Sequence, residues 1–186
     1  MHQLEPYYRW EGLYNASEDP RSPFYGEVHD SYELSLYDHV IHPAWDYIGS
    51  ETLFVKVLYA DYERKFTVIE LLGEWNDTLH NDVMHLKRNL IDLQLAEGIN
   101  RFLLIGENVL NFHGLEDDYY QEWYEETEEG WIVAMGFRDY IHSEWNKYGV
   151  DAWMSWGGKL ELENWRSLSP AGLLDSTESE MRRRLL

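Results

Sequence analysis

The stretch FTVIELLGEWNDTLHNDVMHLKRNLIDL, from Phe66 to Leu93, carries the change of period on which the fold turns. Its first part, FTVIELLGEW, is β-branched and apolar, the composition of a strand buried in a sheet. Its second part changes rhythm. Leu79, Val83, Leu86, Leu90 and Leu93 recur at spacings of three and four, with Asp82, Lys87, Arg88 and Asp92 assigned to other faces, and Gly98 supplies a stop. Asn76, Asp77 and Thr78 stand between the two and are each able to cap the helix. A strand that passes into a covering helix predicts an α/β layer structure.

Working outward, TLFVKVLYA from Thr52 precedes the turn DYERK and pairs with Phe66–Trp75 as a hairpin. Downstream, RFLLIGENVLNF reads as a strand and LEDDYYQEWYEET as a helix, with Leu115, Tyr119 and Trp123 four apart and Glu116, Asp117 and Asp118 at its N-terminus. WIVAMGF from Trp131 is a further strand. RDYIHSEWNKYG places Tyr140, Ile141, Trp145 and Tyr148 at helical spacing, and DAWMSWG from Asp151 closes as a last strand. The order β-β-α-β-α-β-α-β predicts a mixed β-sheet with an opening β-hairpin and covering helices over residues 51–158. Val55, Val57, Val68, Ile69, Leu71, Leu103, Leu104, Ile132 and Val133 are its expected core.

Residues 1–50 differ in kind. Pro6, Pro20, Pro23 and Pro43 forbid long regular elements, yet Tyr7, Tyr8, Trp10, Tyr14, Phe24, Tyr25, Tyr32, Tyr37, Trp45 and Tyr47 are too apolar to stay in water. This segment reads as an extended aromatic arm packed on its own domain or on a partner, a homodimer included. Residues 159–186 form a partly helical tail: Ser169-Pro170 marks a helix start, and Thr177 with Glu180 has the spacing of a capping box.

Thirty-five acidic against 15 basic residues give a formal charge of −20, which repels phosphate backbones and anionic lipid surfaces. Nucleic-acid binding by direct phosphate contact and membrane binding are therefore not expected, although an acidic mimic of nucleic acid is compatible with the charge. With no cysteine there is neither a disulfide framework nor a thiolate site, and a cytoplasmic protein is the expectation. His39 with His42 and His80 with His85 lack the four-residue spacing of a helical metal pair, so no metal and no cofactor is expected. Glu70 and Glu74 have the residue types for paired acid and base work, but spacing in sequence does not fix a carboxyl separation.

Two segments, VIELLGEWNDTLHNDVMHLKRNL and GFRDYIHSEWNKYGVDAWM, resemble the STAS domain of sulphate-transporter tails and anti-sigma-factor antagonists. The resemblance spans Thr52 to Gly157 and implies a regulatory protein-interaction module. It also implies a phosphorylatable serine at the corner Asn111-Phe112-His113-Gly114-Leu115. Neither Ser nor Thr occurs between Ile99 and Glu126, so the phosphoserine switch does not carry over. Trp75, Asn76 and Asp77 at the strand-to-helix junction and Asn111 and His113 at the corner are the candidate binding residues, with Asn76 or Asp77 serving equally as an N-cap and His113 as a loop hydrogen-bonder. No catalytic residue is assigned. The expected function is a non-catalytic interaction or regulatory module with a protein partner or itself; the alternatives are a small-molecule-binding protein or enzyme with a carboxylate and histidine pocket under the arm, and the acidic mimic.

Overall fold

The computed structural model describes residues 3–7, 9–28, 34–116 and 118–184. Tyr8, Tyr32 and Asp117 lie outside them. Five strands form the main sheet in spatial order β4 (Asp46–Tyr47), β5 (Leu53–Asp61), β6 (Phe66–Asn76), β7 (Arg101–His113) and β8 (Trp131–Met135). β4, β5 and β6 are antiparallel, whereas β6, β7 and β8 are parallel. This is the mixed α/β architecture expected, with its hairpin. The expected core residues Val55, Val57, Val68, Ile69, Leu71, Leu103, Leu104, Ile132 and Val133 are all buried in this sheet. β6 is buried along its whole length because both sheet faces are covered, which is why its sequence runs apolar without alternation.

One face is covered by helices. After β6 come α1 (Asp77–His80), α2 (Asp82–Leu86), a π-helical turn (Lys87–Ile91) and α3 (Asp92–Ala96); α4 (Tyr119–Glu126) follows β7, and α5 (Asp139–Lys147) follows β8. Val83, Leu86, Leu90, Ile91, Tyr120, Trp123, Ile141 and Trp145 from these elements share one core with Val55, Ile69, Leu71, Trp75, Phe102 and Leu104 of the sheet. Parallel strands laid down in one direction and joined by right-handed crossovers put their connections on one face.

The first helix is not the single regular one its leucine spacing implies. Asn81 adopts a left-handed conformation at φ 52° and separates α1 from α2. The π-turn then widens the next turn. Together they rotate the register, so Leu79 is 77% exposed and Leu93 48%, while Asp82 and Lys87 are fully buried. α4 likewise begins at Tyr119 and leaves Leu115 outside it. The closing strand expected over 151–157 is reduced to one parallel bridge, Ser155 beside Val133, because Val150–Ala152 winds as a 3-10 turn.

The opposite face is covered by the two chain ends. α6 (Pro170–Arg184) runs unbroken, begun by Pro170 after Ser169, whose hydroxyl accepts from the Gly172 amide. Thr177 is therefore mid-helix, its hydroxyl donating to the Leu173 carbonyl, and does not cap. Leu173 and Leu174 of α6, with Leu160 and Trp165, pack against Val68, Leu103, Ile105 and Val133. The arm joins them: the Tyr7 and Trp10 rings lie edge-on to Trp165, with centroids 4.9 and 5.8 Å away. Among its described residues the arm holds short strands: β1 (Gln3–Leu4), β2 (Ser35–Leu36) and β3 (His39–Ile41) form a small sheet of their own, and β4 joins the edge of the main sheet.

Candidate functional site

β6 and β7 end together. Glu74 lies opposite Asn111, Trp75 opposite Phe112, and Asn76 opposite His113. Register alone thus gathers Trp75, Asn76, Asp77, Asn111 and His113 at the carboxyl end of two parallel strands, where open α/β sheets commonly bind ligands. They divide into a buried layer and a surface layer.

The buried layer is an aromatic block around a carboxylate. Trp75 meets Tyr120, Phe112 and Trp145 at centroid distances of 6.2, 6.1 and 6.0 Å. Its indole N–H donates to Asp77 Oδ1 at 2.9 Å, and the same oxygen accepts from the Val83 amide at 2.8 Å. The Tyr120 hydroxyl donates to Asp77 Oδ2. Burial raises the Asp77 carboxyl to about 7 against these hydrogen bonds, which pull it down. Asp77 therefore anchors the start of α2 and the aromatic block.

Asn76 is the N-cap of α1: its Oδ1 accepts from the Leu79 amide at 2.9 Å. Its own amide N–H donates to Asp82 Oδ2 at 2.7 Å, and its Nδ2 donates to Glu74 Oε1 at 3.0 Å. Asp82 also accepts from the Thr52 hydroxyl, while its other oxygen is buried without a hydrogen-bond partner. Burial raises the Asp82 carboxyl as well.

The surface layer is small. Asn111 Oδ1 accepts from the Phe112 amide at 2.9 Å, which turns its Nδ2 toward His113 Nε2 at 3.0 Å. Glu74 Oε1 lies 3.1 Å from the same nitrogen. One ring nitrogen cannot accept from Asn111 and donate to Glu74 at once, so the first contact needs Nε2 bare and the second needs a proton on Nε2. His113 is 46% exposed on its side chain, with Asn111 and Glu74 beside its Nε2. Gly114 is required here by packing: a Cβ would stand 2.3 Å from the Tyr148 ring. The Thr78 hydroxyl donates to the Gly114 carbonyl at 2.9 Å and ties α1 to the corner.

Glu74, Asp82 and Tyr120 complete this network; Glu74 was noted in the sequence only as an acid and base candidate with Glu70, and Asp82 and Tyr120 were not singled out as site residues. Strand alternation put Glu74 two residues from Asn76, a signal that was available; the part played by Asp82 depends on the break at Asn81, which periodicity conceals. Glu70, set beside Glu74 by residue type, keeps different company on the other face, accepting from the Tyr7 amide at 2.6 Å and lying 3.5 Å from Arg166. Among the described residues no group of three or more histidines and acids is placed to hold a metal ion. No helix among them is long and apolar enough to cross a membrane.

The sequence matches no family model and no curated protein. Among solved structures, the chain is similar to the phosphorylated form of SpoIIAA, a Bacillus cell fate determinant, at 14% identity and a TM-score of 0.38, over 56% of this chain and 92% of that one.

Proposed function

We propose that the chain is a non-catalytic protein-interaction module, STAS-like in its element order but without a serine switch, and that it docks through the β6–β7 corner. The carrying observation is the exposure of Leu79 at 77% and Leu115 at 47% on two segments joined by the Thr78–Gly114 hydrogen bond. Large aliphatic side chains displayed together on a braced turn favour burial against another protein. The polar groups beneath them hold one another: Asp77 accepts three hydrogen bonds, Asn76 caps α1, and the Thr78 hydroxyl is engaged. Such a network fixes shape and leaves no activated nucleophile.

Exposed Glu116 and Asp118 adjoin Leu115, so the partner surface that fits has an apolar centre and a basic rim. The test is a photo-crosslinking side chain introduced at Leu79, with Val28 on the arm as the control position, in native lysate. A discrete protein adduct at 79 that Leu115→Asp abolishes and position 28 lacks is the expected result. Equal adducts at both positions, or indifference to Leu115→Asp, overturns the proposal.

A further inference from the structure

A cavity of about 280 Å³ lies between the arm and the outer side of β5, away from the corner. It exists because β4 is too short: β4 pairs only with Phe54 and Val55, and beyond them side chains of the arm face β5 instead of a strand. Lys56, Val57 and Leu58 form one wall, and Glu5, Pro6, Tyr7, Glu11 and Tyr14 form the other, with His42 and Ala44 between. Both tyrosines are fixed through their hydroxyls, Tyr7 donating to the Arg166 carbonyl at 2.6 Å and Tyr14 to Asp19 Oδ2 at 3.0 Å. Their rings remain as lining.

The charge in this cavity is unbalanced. Lys56 stands 3.5 Å from buried Asp46, which neutralises it. His42 Nδ1 accepts from the Ala44 amide at 3.0 Å, so the neutral ring carries its proton on Nε2, 3.7 Å from Glu5. No lysine or arginine pairs with Glu5 or Glu11 among the described residues. Two carboxylates and two tyrosine rings around a partly closed apolar space are the elements that hold an ammonium group on an apolar body. The formal charge of −20 further favours a cation over an anion.

The geometry points to a binding site for a small primary amine with an apolar body, its ammonium between Glu5 and Glu11 and its body against Val57, Leu58 and the tyrosine rings. This site is separate from the docking corner and stands or falls independently of it. The full-length chain is titrated by calorimetry and ligand-observed NMR with phenethylammonium, neutral 2-phenylethanol and anionic 3-phenylpropionate. The amine is expected to bind about tenfold more tightly than the alcohol, with the acid weakest. Glu5→Gln with Glu11→Gln, both at exposed positions, lowers amine affinity by about three- to tenfold and leaves the alcohol unchanged. Equal binding of all three probes, a preference for the acid through Lys56, indifference to the double variant, or no binding of the amine up to about 10 mM overturns the assignment.

Discussion

One face of the sheet is closed by helices that follow directly on the strands they cover, whereas the other is closed by residues from opposite ends of the chain. Each face contains a carboxyl raised to about 7 by burial, and the two are held differently. Asp77 takes its partners Trp75 and Val83 from within six residues, with Tyr120 added by the neighbouring crossover. Glu70 is reached by the amide of Tyr7, 63 residues before it, and by Arg166. Arg166 also pairs with Glu107 at 2.8 Å and lies 4.8 Å from the Tyr7 ring centroid, so arm, sheet and tail meet at one buried acid. The helical face is specified locally; the other depends on both termini being in place.

Removal of residues 1–48 puts the heaviest load on that contrast. It uncovers Trp165, Leu58 and the Glu70 carboxyl, and the expected outcome is aggregation or loss of cooperative unfolding, read by light scattering and thermal melting. A soluble truncated chain with an unchanged melt means the arm closes nothing. Next in size are cavities. Leu90→Ala on the helical face and Leu174→Ala on the other, both buried, should each cost about 2–5 kcal/mol in denaturant unfolding. A negligible effect at Leu174 would show that α6 lies loosely and that the second face is poorly packed.

Protonation sharpens the comparison further. Each carboxyl binds its proton more tightly in the folded chain than at its ordinary 3.8 or 4.5, so the native state holds more protons up to about pH 7. Stability contributed by these protons is present below that window and is lost as pH rises through it, on the order of 3 kcal/mol per group. Asp77→Asn keeps an acceptor for Trp75 and Val83 and should reduce the loss of stability between pH 5 and pH 8 without loosening the fold. Glu70→Gln should reduce the same slope but also weaken the link to Arg166, visible as faster amide exchange in the tail. An identical response from the two variants would remove the distinction between the faces. Smallest is the effect of Leu79→Asp with Leu115→Asp, which should change stability by less than about 0.5 kcal/mol, since both side chains are exposed.

The same contrast explains what was legible in the sequence. The strands β5 to β8 and the hairpin were readable because their apolar runs are bounded by turn residues such as Asp61-Tyr62-Glu63-Arg64-Lys65, where the Arg64 amide donates to Asp61. The helix after β6 was readable as an element but not in its facing. A left-handed Asn81 and one π-turn moved Leu79 outward and Lys87 inward, where it pairs with Asp92 and Glu126. The candidate binding residues come together at one end of the sheet because junction and corner lie in register. Their partners Asp82 and Tyr120 depend on tertiary packing, which one-dimensional spacing does not contain. The cover over the second face was visible as an excess of aromatic residues, and the tail as its co-occupant was not, since α6 carries only a weak apolar stripe of Leu173, Leu174 and Met181.

The proposed docking rests on the apolar surface and shape of the corner and not on chemistry at His113. The direct test is the affinity of the partner recovered by crosslinking, measured calorimetrically for the unmodified chain, Leu79→Asp with Leu115→Asp, and His113→Gln. At least a tenfold loss, about 1.4 kcal/mol or more, is expected for the leucine pair, and a change of less than about threefold for His113→Gln. Full affinity in the leucine variant together with loss of binding in His113→Gln would contradict it.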